Sequence, residues 1–225
     1  MSEIVLHHCP QTRSMRSLWL LNELEVPFRI ALHSFDKSLR DPSYLALSPA
    51  GRVPALEIDG ERMFETGAIT EYLCERFPDA GLGREVGNPD RMAWLVWVHF
   101  AETISQHVAA LTQQHIMLYD DAMRSPVVMK LEAARLSKCF DAIEARLSTP
   151  IENRDTLLTS GFSAADISVG QAVYLAQKFC KLDNHPATAA WFKRLEERPA
   201  FQESLPDEGF LLYTKDFYPA WDPDA

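Results

Sequence analysis

Gly51-Arg52-Val53-Pro54-Ala55-Leu56-Glu57-Ile58-Asp59-Gly60-Glu61-Arg62-Met63-Phe64-Glu65-Thr66 decides the fold. Proline has no N–H to give a ladder, so Pro54 sits at the first residue of a strand or on an edge. Ala55-Leu56 and Ile58 form the strand. Asp59-Gly60 is a two-residue hairpin signal that turns the chain into a return strand at Met63-Phe64. Thr66 then opens a helical pattern, because Ile69, Tyr72, Leu73 and Phe77 fall on one face. This reading makes Thr66 the N-cap and leaves backbone N–H groups pointing at whatever lies in front of it. Such a helix start suits a carboxylate. On its own, the pattern is a hairpin plus a capped helix, which any α/β domain can contain.

Toward the N-terminus, Ile4-Val5-Leu6 reads as a central strand. Pro10 to Ser14 is a loop, and Met15, Leu18, Leu21 and Leu24 form the apolar face of a helix closed by Val26-Pro27. Phe28 to Leu32 is the next strand. Strand, helix and strand in such a short span make a βαβ unit, a parallel pair with a right-handed crossover. After an irregular segment from His33 to Pro49, the order through Phe77 is β-α-β-(α)-β-β-α, that of an α/β thioredoxin-like domain. His7-His8-Cys9 is a run of three potential metal ligands. Neighbours on a strand point to opposite faces and cannot easily share one ion, so no metal is expected.

Toward the C-terminus, Pro78 to Pro89 holds Gly81, Gly83 and Gly87 and reads as a linker. Beyond it the pattern is helical throughout, over 92–117 and then 127–147, where Met129, Leu136, Phe140, Ile143 and Leu147 make one stripe. Ser163 to Asp166 is a capping box with Asp in the place of Glu, opening an apolar helix through Phe179. Pro186 and Pro199 bracket a shorter helix. The aromatic tail, with Phe210, Tyr213, Phe217, Tyr218 and Trp221, is expected to pack on the body. The organisation predicted is therefore a thioredoxin-like domain over 1–79, a linker over 80–88 and an all-α domain over 89–225.

With 47% hydrophobic and 24% charged residues, the chain is globular. A net charge of -10 argues against nucleic acid or an anionic membrane as partner. It does not exclude a small anion met by local arginines. Cys9, Cys74, Cys139 and Cys180 form no CxxC pair and match no zinc spacing, so free thiols in a reducing, cytoplasmic setting are expected. No uncharged apolar run approaches the ~18 residues of a membrane span.

The Gly51-Arg52-Val53-Pro54-Ala55-Leu56 run, with Asp59-Gly60 and Glu65-Thr66 after it, resembles the glutathione-binding signature of the cytosolic glutathione transferases, bacterial type. The resemblance implies that Pro54 is a cis proline and that Val53 before it lends its backbone to the cysteinyl part of glutathione. Glu65 and Thr66 would hold the γ-glutamyl end, Thr66 replacing the usual Ser. Arg40 stands where the family often has a Lys toward the glycine carboxylate, and Arg52 matches another basic position beside the site. Gly161 to Ile167 is similar to the helix-capping segment of the family's second domain. The motifs lie in order along nearly the whole chain; singly each is weak, and together they are specific.

The activity implied is transfer of the glutathione thiolate to a small hydrophobic electrophile, a detoxification chemistry, by a homodimer. A thiol is mostly protonated near neutral pH, so the chemistry requires a hydroxyl that stabilises its thiolate at a helix start. Thr12 is the first candidate, because Thr12-Arg13-Ser14 resembles a subgroup in which the functional Ser precedes the same Arg. Ser14 is the second. For both, plain N-capping is the competing role. Cys9 is the third: Cys9-Pro10-Gln11-Thr12 mimics a CPxC motif without its second Cys and would make the chain a glutathione-dependent disulfide reductase. A transferase-like binding module without catalysis is a further alternative. Arg16 reads as a structural ion-pair residue. Trp94, Trp97 and Phe100 line an electrophile site or fill core.

Overall fold

The computed structural model describes residues 3–149, 155–222 and 224. These group into two units. The first runs to Arg91 and includes Glu196–Leu212; the second is Met92–Leu195 with the chain from Tyr213 onward.

The first unit is built on β1 (Ile4–His8), α1 (Ser14–Glu23), β2 (Arg29–Leu32), α2 (Pro42–Leu45), β3 (Ala55–Ile58), β4 (Glu61–Phe64) and α3 (Thr66–Arg76). The sheet order is β2-β1-β3-β4. β1 runs parallel to β2, with Leu6 opposite Ile30. It runs antiparallel to β3, with Leu6 opposite Leu56, and β3 pairs antiparallel with β4. Every residue of β1 is buried, as a continuous apolar run in a central strand requires. The hairpin turns on Asp59 and Gly60, both with positive φ (52° and 85°), the signature of a primed two-residue turn. Leu6, Met15, Leu20, Leu21, Leu56 and Ile69 fill the core.

The second unit holds α4 (Arg91–Thr112), a π turn at Gln113–Met117, α5 (Pro126–Leu147), α6 (Ala164–Ala176) and α7 (Pro186–Glu196). Ser125 caps α5 by accepting the Val128 N–H at 3.3 Å. Ser163 and Asp166 close the capping box of α6, as its sequence predicts. Trp94 is buried, as are Leu136, Phe140, Val169 and Trp191 of the same unit; Trp97 and Phe100 are half-buried and meet edge to face at 5.4 Å. The tail is anchored by three of its aromatics, Tyr213, Phe217 and Tyr218, the last donating its hydroxyl to the Gln177 carbonyl oxygen. The Tyr213 hydroxyl bonds Thr112 Oγ1 at 2.8 Å, and the Phe217 ring stacks on Phe179 at 5.2 Å and on His115 at 4.7 Å. Phe210 and Trp221 stay exposed, so the expectation that the whole aromatic tail packs holds only in part. No described helix is long and apolar enough to cross a membrane.

The stretch 196–212, read from the sequence with the helical domain, packs on the first unit through α8 (Pro199–Gln202) and its flanks. The Arg198 guanidinium grips both Glu23 oxygens at 2.6 Å, and Trp19 Nε1 donates to Glu23 at 2.9 Å. Asn22 donates to Ser204 Oγ at 3.0 Å, and Phe201 sits against the Trp19 ring at 4.9 Å. Glu23 is nearly buried while Arg198 is partly exposed, so the pair lies between the surface and buried cases. Arg198→Ala is expected to lower stability by about 2 kcal/mol, read as a fall in the urea midpoint with an unchanged slope.

Candidate functional site

The pairing pattern brings the predicted residues to one end of the sheet. His7 lies opposite Ala55, and Ala55 opposite Phe64. The loop after β1 with Thr12 and Ser14, the Val53-Pro54 approach to β3, and the Glu65-Thr66 exit from β4 therefore leave the sheet at the same end. The Val53–Pro54 peptide is cis.

Glu65 has φ 77° and ψ 116°, a conformation that non-glycine residues seldom adopt. It is the N-cap of α3, and Thr66 is the first helical residue. This corrects the sequence reading, which placed the cap on Thr66. The chain passes from β4 into α3 at a single residue, so Glu65 takes the non-helical conformation and its side chain stays exposed. Thr66 is buried, and its Oγ1 accepts from Arg16 Nη1 at 3.1 Å. The fully buried Arg16 thus braces the start of α3 from α1.

Arg40 ends the turn Lys37–Arg40 and is exposed, as is Arg52. Gly51 joins them: its φ is 61°, and a Cβ there would stand 2.9 Å from the Leu39 carbonyl oxygen. Only glycine lets the 37–40 turn seat so closely against the segment leading to Pro54.

The loop after β1 carries a compact hydroxyl network. Ser14 Oγ accepts the Cys9 N–H at 3.1 Å and lies 2.9 Å from His8 Nδ1, 3.1 Å from the Cys9 carbonyl oxygen and 2.8 Å from Thr12 Oγ1. Thr12 Oγ1 lies 2.7 Å from that same carbonyl oxygen and accepts the Ser14 N–H at 3.3 Å. Ser14 is fully buried, so its hydroxyl is an internal group of the loop and not one that meets a ligand. Thr12 is half-buried and keeps exposed surface. The N-cap position of α1 is Arg13, whose own side chain makes no cap; the Thr12 side chain meets the first helical N–H instead. His8 is buried, which pushes its pKa down to about 4, so its imidazole is neutral. Burial, with the Asp36 carboxylate adding to it, pushes the Cys9 thiol up to about 11.

The opposite face of the sheet carries a second network that sequence reading did not find. His7 Nε2 meets Glu57 Oε1 at 3.1 Å and His7 Nδ1 meets His33 Nε2 at 3.0 Å. The hydrogen bond from His7 holds the Glu57 carboxyl below the usual carboxylate range. Both rings flank Tyr44, whose hydroxyl donates to the Arg52 carbonyl oxygen at 2.9 Å, one residue before Val53. Tyr44 sits in the irregular segment 33–49, where no periodicity marks it. His7 and His8 thus serve opposite faces, and among the described residues no group of three His, Cys, Asp or Glu is placed to hold a metal.

Comparison with known proteins gives a consistent result. The family model described as "Glutathione S-transferase, N-terminal domain" matches residues 6–84, and "Glutathione S-transferase, C-terminal domain" matches residues 113–199. The chain is similar to glutathione S-transferase 3 of Schizosaccharomyces pombe, at 24% identity over 94% of this chain and 91% of the other. It is also similar to a glutathione S-transferase of Silene vulgaris, at 28% identity over 90% of this chain and 96% of the other. Among solved structures, a glutathione-S-transferase from Xylella fastidiosa shares the fold with a TM-score of 0.81, at 24% identity, over 93% of this chain and all of the other. A glutathione transferase from Phanerochaete chrysosporium, solved with oxidised glutathione, gives 0.78 at 22% identity, over 91% of this chain and 94% of the other.

Proposed function

The chain belongs to the glutathione S-transferase family, both of whose domains it carries, and from that premise we propose that it binds glutathione and transfers its thiolate to a small hydrophobic electrophile. The observation that carries this reading is the convergence at one sheet end of three features: the loop that holds the half-buried Thr12, the cis Val53–Pro54 peptide and the start of α3. The Val53 backbone would pair with the cysteinyl part of the tripeptide. The exposed Glu65 and the α3 N-terminus suit its γ-glutamyl end, which carries both an amino group and a carboxylate. Arg40 and Arg52, exposed beside the same segment, supply positive charge for its glycine carboxylate. Thr12 then donates its hydroxyl proton to the sulfur and favours the thiolate.

The reductase alternative through Cys9 has chemistry against it. A thiol whose pKa is about 11 is ionised in roughly one molecule in ten thousand at pH 7, and a disulfide-exchanging thiol needs the reverse. Cys9→Ser is expected to leave glutathione conjugation to a generic aryl halide within about twofold of the unmodified protein. Loss of thiol–disulfide reduction with conjugation intact would instead establish the reductase. Retention on immobilised glutathione without any conjugation would establish a binding module.

Tyr44 tests the glutathione-binding segment separately. Tyr44→Phe removes one hydrogen bond to the Arg52 carbonyl, worth about 1 kcal/mol. The expected result is a KM for glutathione raised about fivefold with kcat unchanged, because the contact is made equally in ground and transition states.

All four cysteines are free thiols, which supports a reducing, cytoplasmic setting. Exposed Val127, Val128 and Leu131 on α5, and Met92 and Val96 on α4, support a homodimer. Sedimentation at micromolar concentration checks it.

A further inference from the structure

We propose that His8 is a positioning residue that acts through Ser14 to aim the Thr12 hydroxyl proton at the glutathione sulfur. The inference rests on the reading of Thr12 as the thiolate donor.

The argument is a count of protons and lone pairs. A hydroxyl has one proton to give and two lone pairs to fill. Ser14 Oγ already accepts the Cys9 N–H, so one lone pair and its proton remain. His8 Nδ1, at 2.9 Å, decides how they are used. A neutral imidazole carries its proton on one nitrogen only. With the proton on Nδ1, His8 donates to Ser14 and fills its last lone pair. Ser14 can then give its own proton to Thr12 Oγ1 at 2.8 Å or to the Cys9 carbonyl at 3.1 Å, and Thr12 cannot return one to Ser14. The Thr12 proton keeps the Cys9 carbonyl, at 2.7 Å, as an inward acceptor that an anion outside must outcompete. With the proton on Nε2 the chain reverses: Ser14 donates to His8, and the free lone pair on Ser14 draws the Thr12 proton inward.

In the first arrangement Ser14 no longer accepts from Thr12, so one inward acceptor fewer competes with an outside anion for the Thr12 proton. In it each hydrogen bond polarises the next, which strengthens the last donor. A thiolate held there selects it electrostatically. Burial of His8 and Ser14 makes the selection effective, because solvent cannot satisfy the same atoms in another way.

The test reads the pKa of glutathione bound to the full-length protein from the thiolate ultraviolet absorbance. His8→Leu removes the donor; His8→Asn keeps an amide N–H near the position of Nδ1. His8→Leu is expected to raise the bound thiol pKa by about half to one pH unit. The kcat/KM at pH 7 should then fall roughly three- to tenfold, the loss disappearing above the new pKa, with KM for glutathione unchanged. His8→Asn should restore most of it. A bound thiol pKa unmoved by His8→Leu, while Thr12→Ala raises it, overturns the relay. A pKa unmoved by Thr12→Ala removes the reading on which it rests. Should His8→Leu not fold, the unmodified protein supplies the decision. Nitrogen NMR of His8 in the glutathione complex is expected to show the Nδ1–H tautomer, and the Nε2–H tautomer overturns the proposal.

Discussion

Thr12→Ala is expected to lower kcat/KM for conjugation by roughly 45- to 160-fold at neutral pH. The group at stake is a hydroxyl donating to an anionic sulfur. Hydrogen bonds to charged partners are worth about 1.5–3 kcal/mol, twice a neutral one or more. At 1.36 kcal/mol per tenfold, the upper half of that range gives the stated factor. The same energy must reappear as a bound thiol pKa raised by about 1.7 to 2.2 units, since one unit is 1.36 kcal/mol. The sign follows from which form is stabilised: Thr12 favours the thiolate, its loss favours the thiol, and activity returns as pH rises through the new pKa. Thr12→Ser should stay within a few-fold of the unmodified protein, because the proton and its direction are kept. Thr12→Val keeps the shape without the proton and should behave as Thr12→Ala does. A normal bound thiol pKa in Thr12→Val would transfer the role to another donor. Ser14 is a poor replacement, because it has no exposed surface from which to reach a ligand.

The frame of the first unit was legible because local signals and burial agreed there. Val53-Pro54 stands before β3, Asp59-Gly60 makes the hairpin, and the Met15 to Leu24 spacing yields α1. What local signals missed depended on partners distant in sequence. The cap of α3 falls on Glu65, because the exit from β4 dictates the conformation there more strongly than the general preference for a hydroxyl. Ser14 is withdrawn into the loop by His8 and the Cys9 backbone, which no helix-start rule contains. Tyr44 reaches the Arg52 carbonyl from a segment with no pattern. Arg16 donates to Thr66 fifty residues away. In each case the side chain's type was readable and its partner was not.

Asp166 shows a local motif carrying a load larger than its local role, and Asp166→Ala is expected to cost about 4 kcal/mol of stability. The capping box predicts one task for this carboxylate, the Ser163 N–H, which Oδ2 accepts at 3.0 Å. The structure adds two more. Oδ1 accepts the Leu157 N–H at 2.9 Å and the Trp191 Nε1–H at 3.0 Å, so one side chain ties the start of α6 to the segment before it and to α7. All four residues are buried. Removing the carboxylate strands three N–H groups away from water, each at about 1–3 kcal/mol, partly relieved by relaxation. Roughly 2–4 °C per kcal/mol for a chain of this size gives a midpoint lowered by about 8–16 °C. Asp166→Asn keeps one acceptor oxygen and should lose about half as much. Ser163→Ala removes the cap acceptor for the Ala165 N–H at 3.2 Å, the hydroxyl's share of the capping box and a long 3.5 Å bond to Asp166 Oδ2, and should lose about 1 kcal/mol. Urea unfolding followed by tryptophan fluorescence ranks the three. Equal losses from Ser163→Ala and Asp166→Ala would reduce Asp166 to a helix cap, whereas the predicted order makes it the residue that holds α7 to the start of α6.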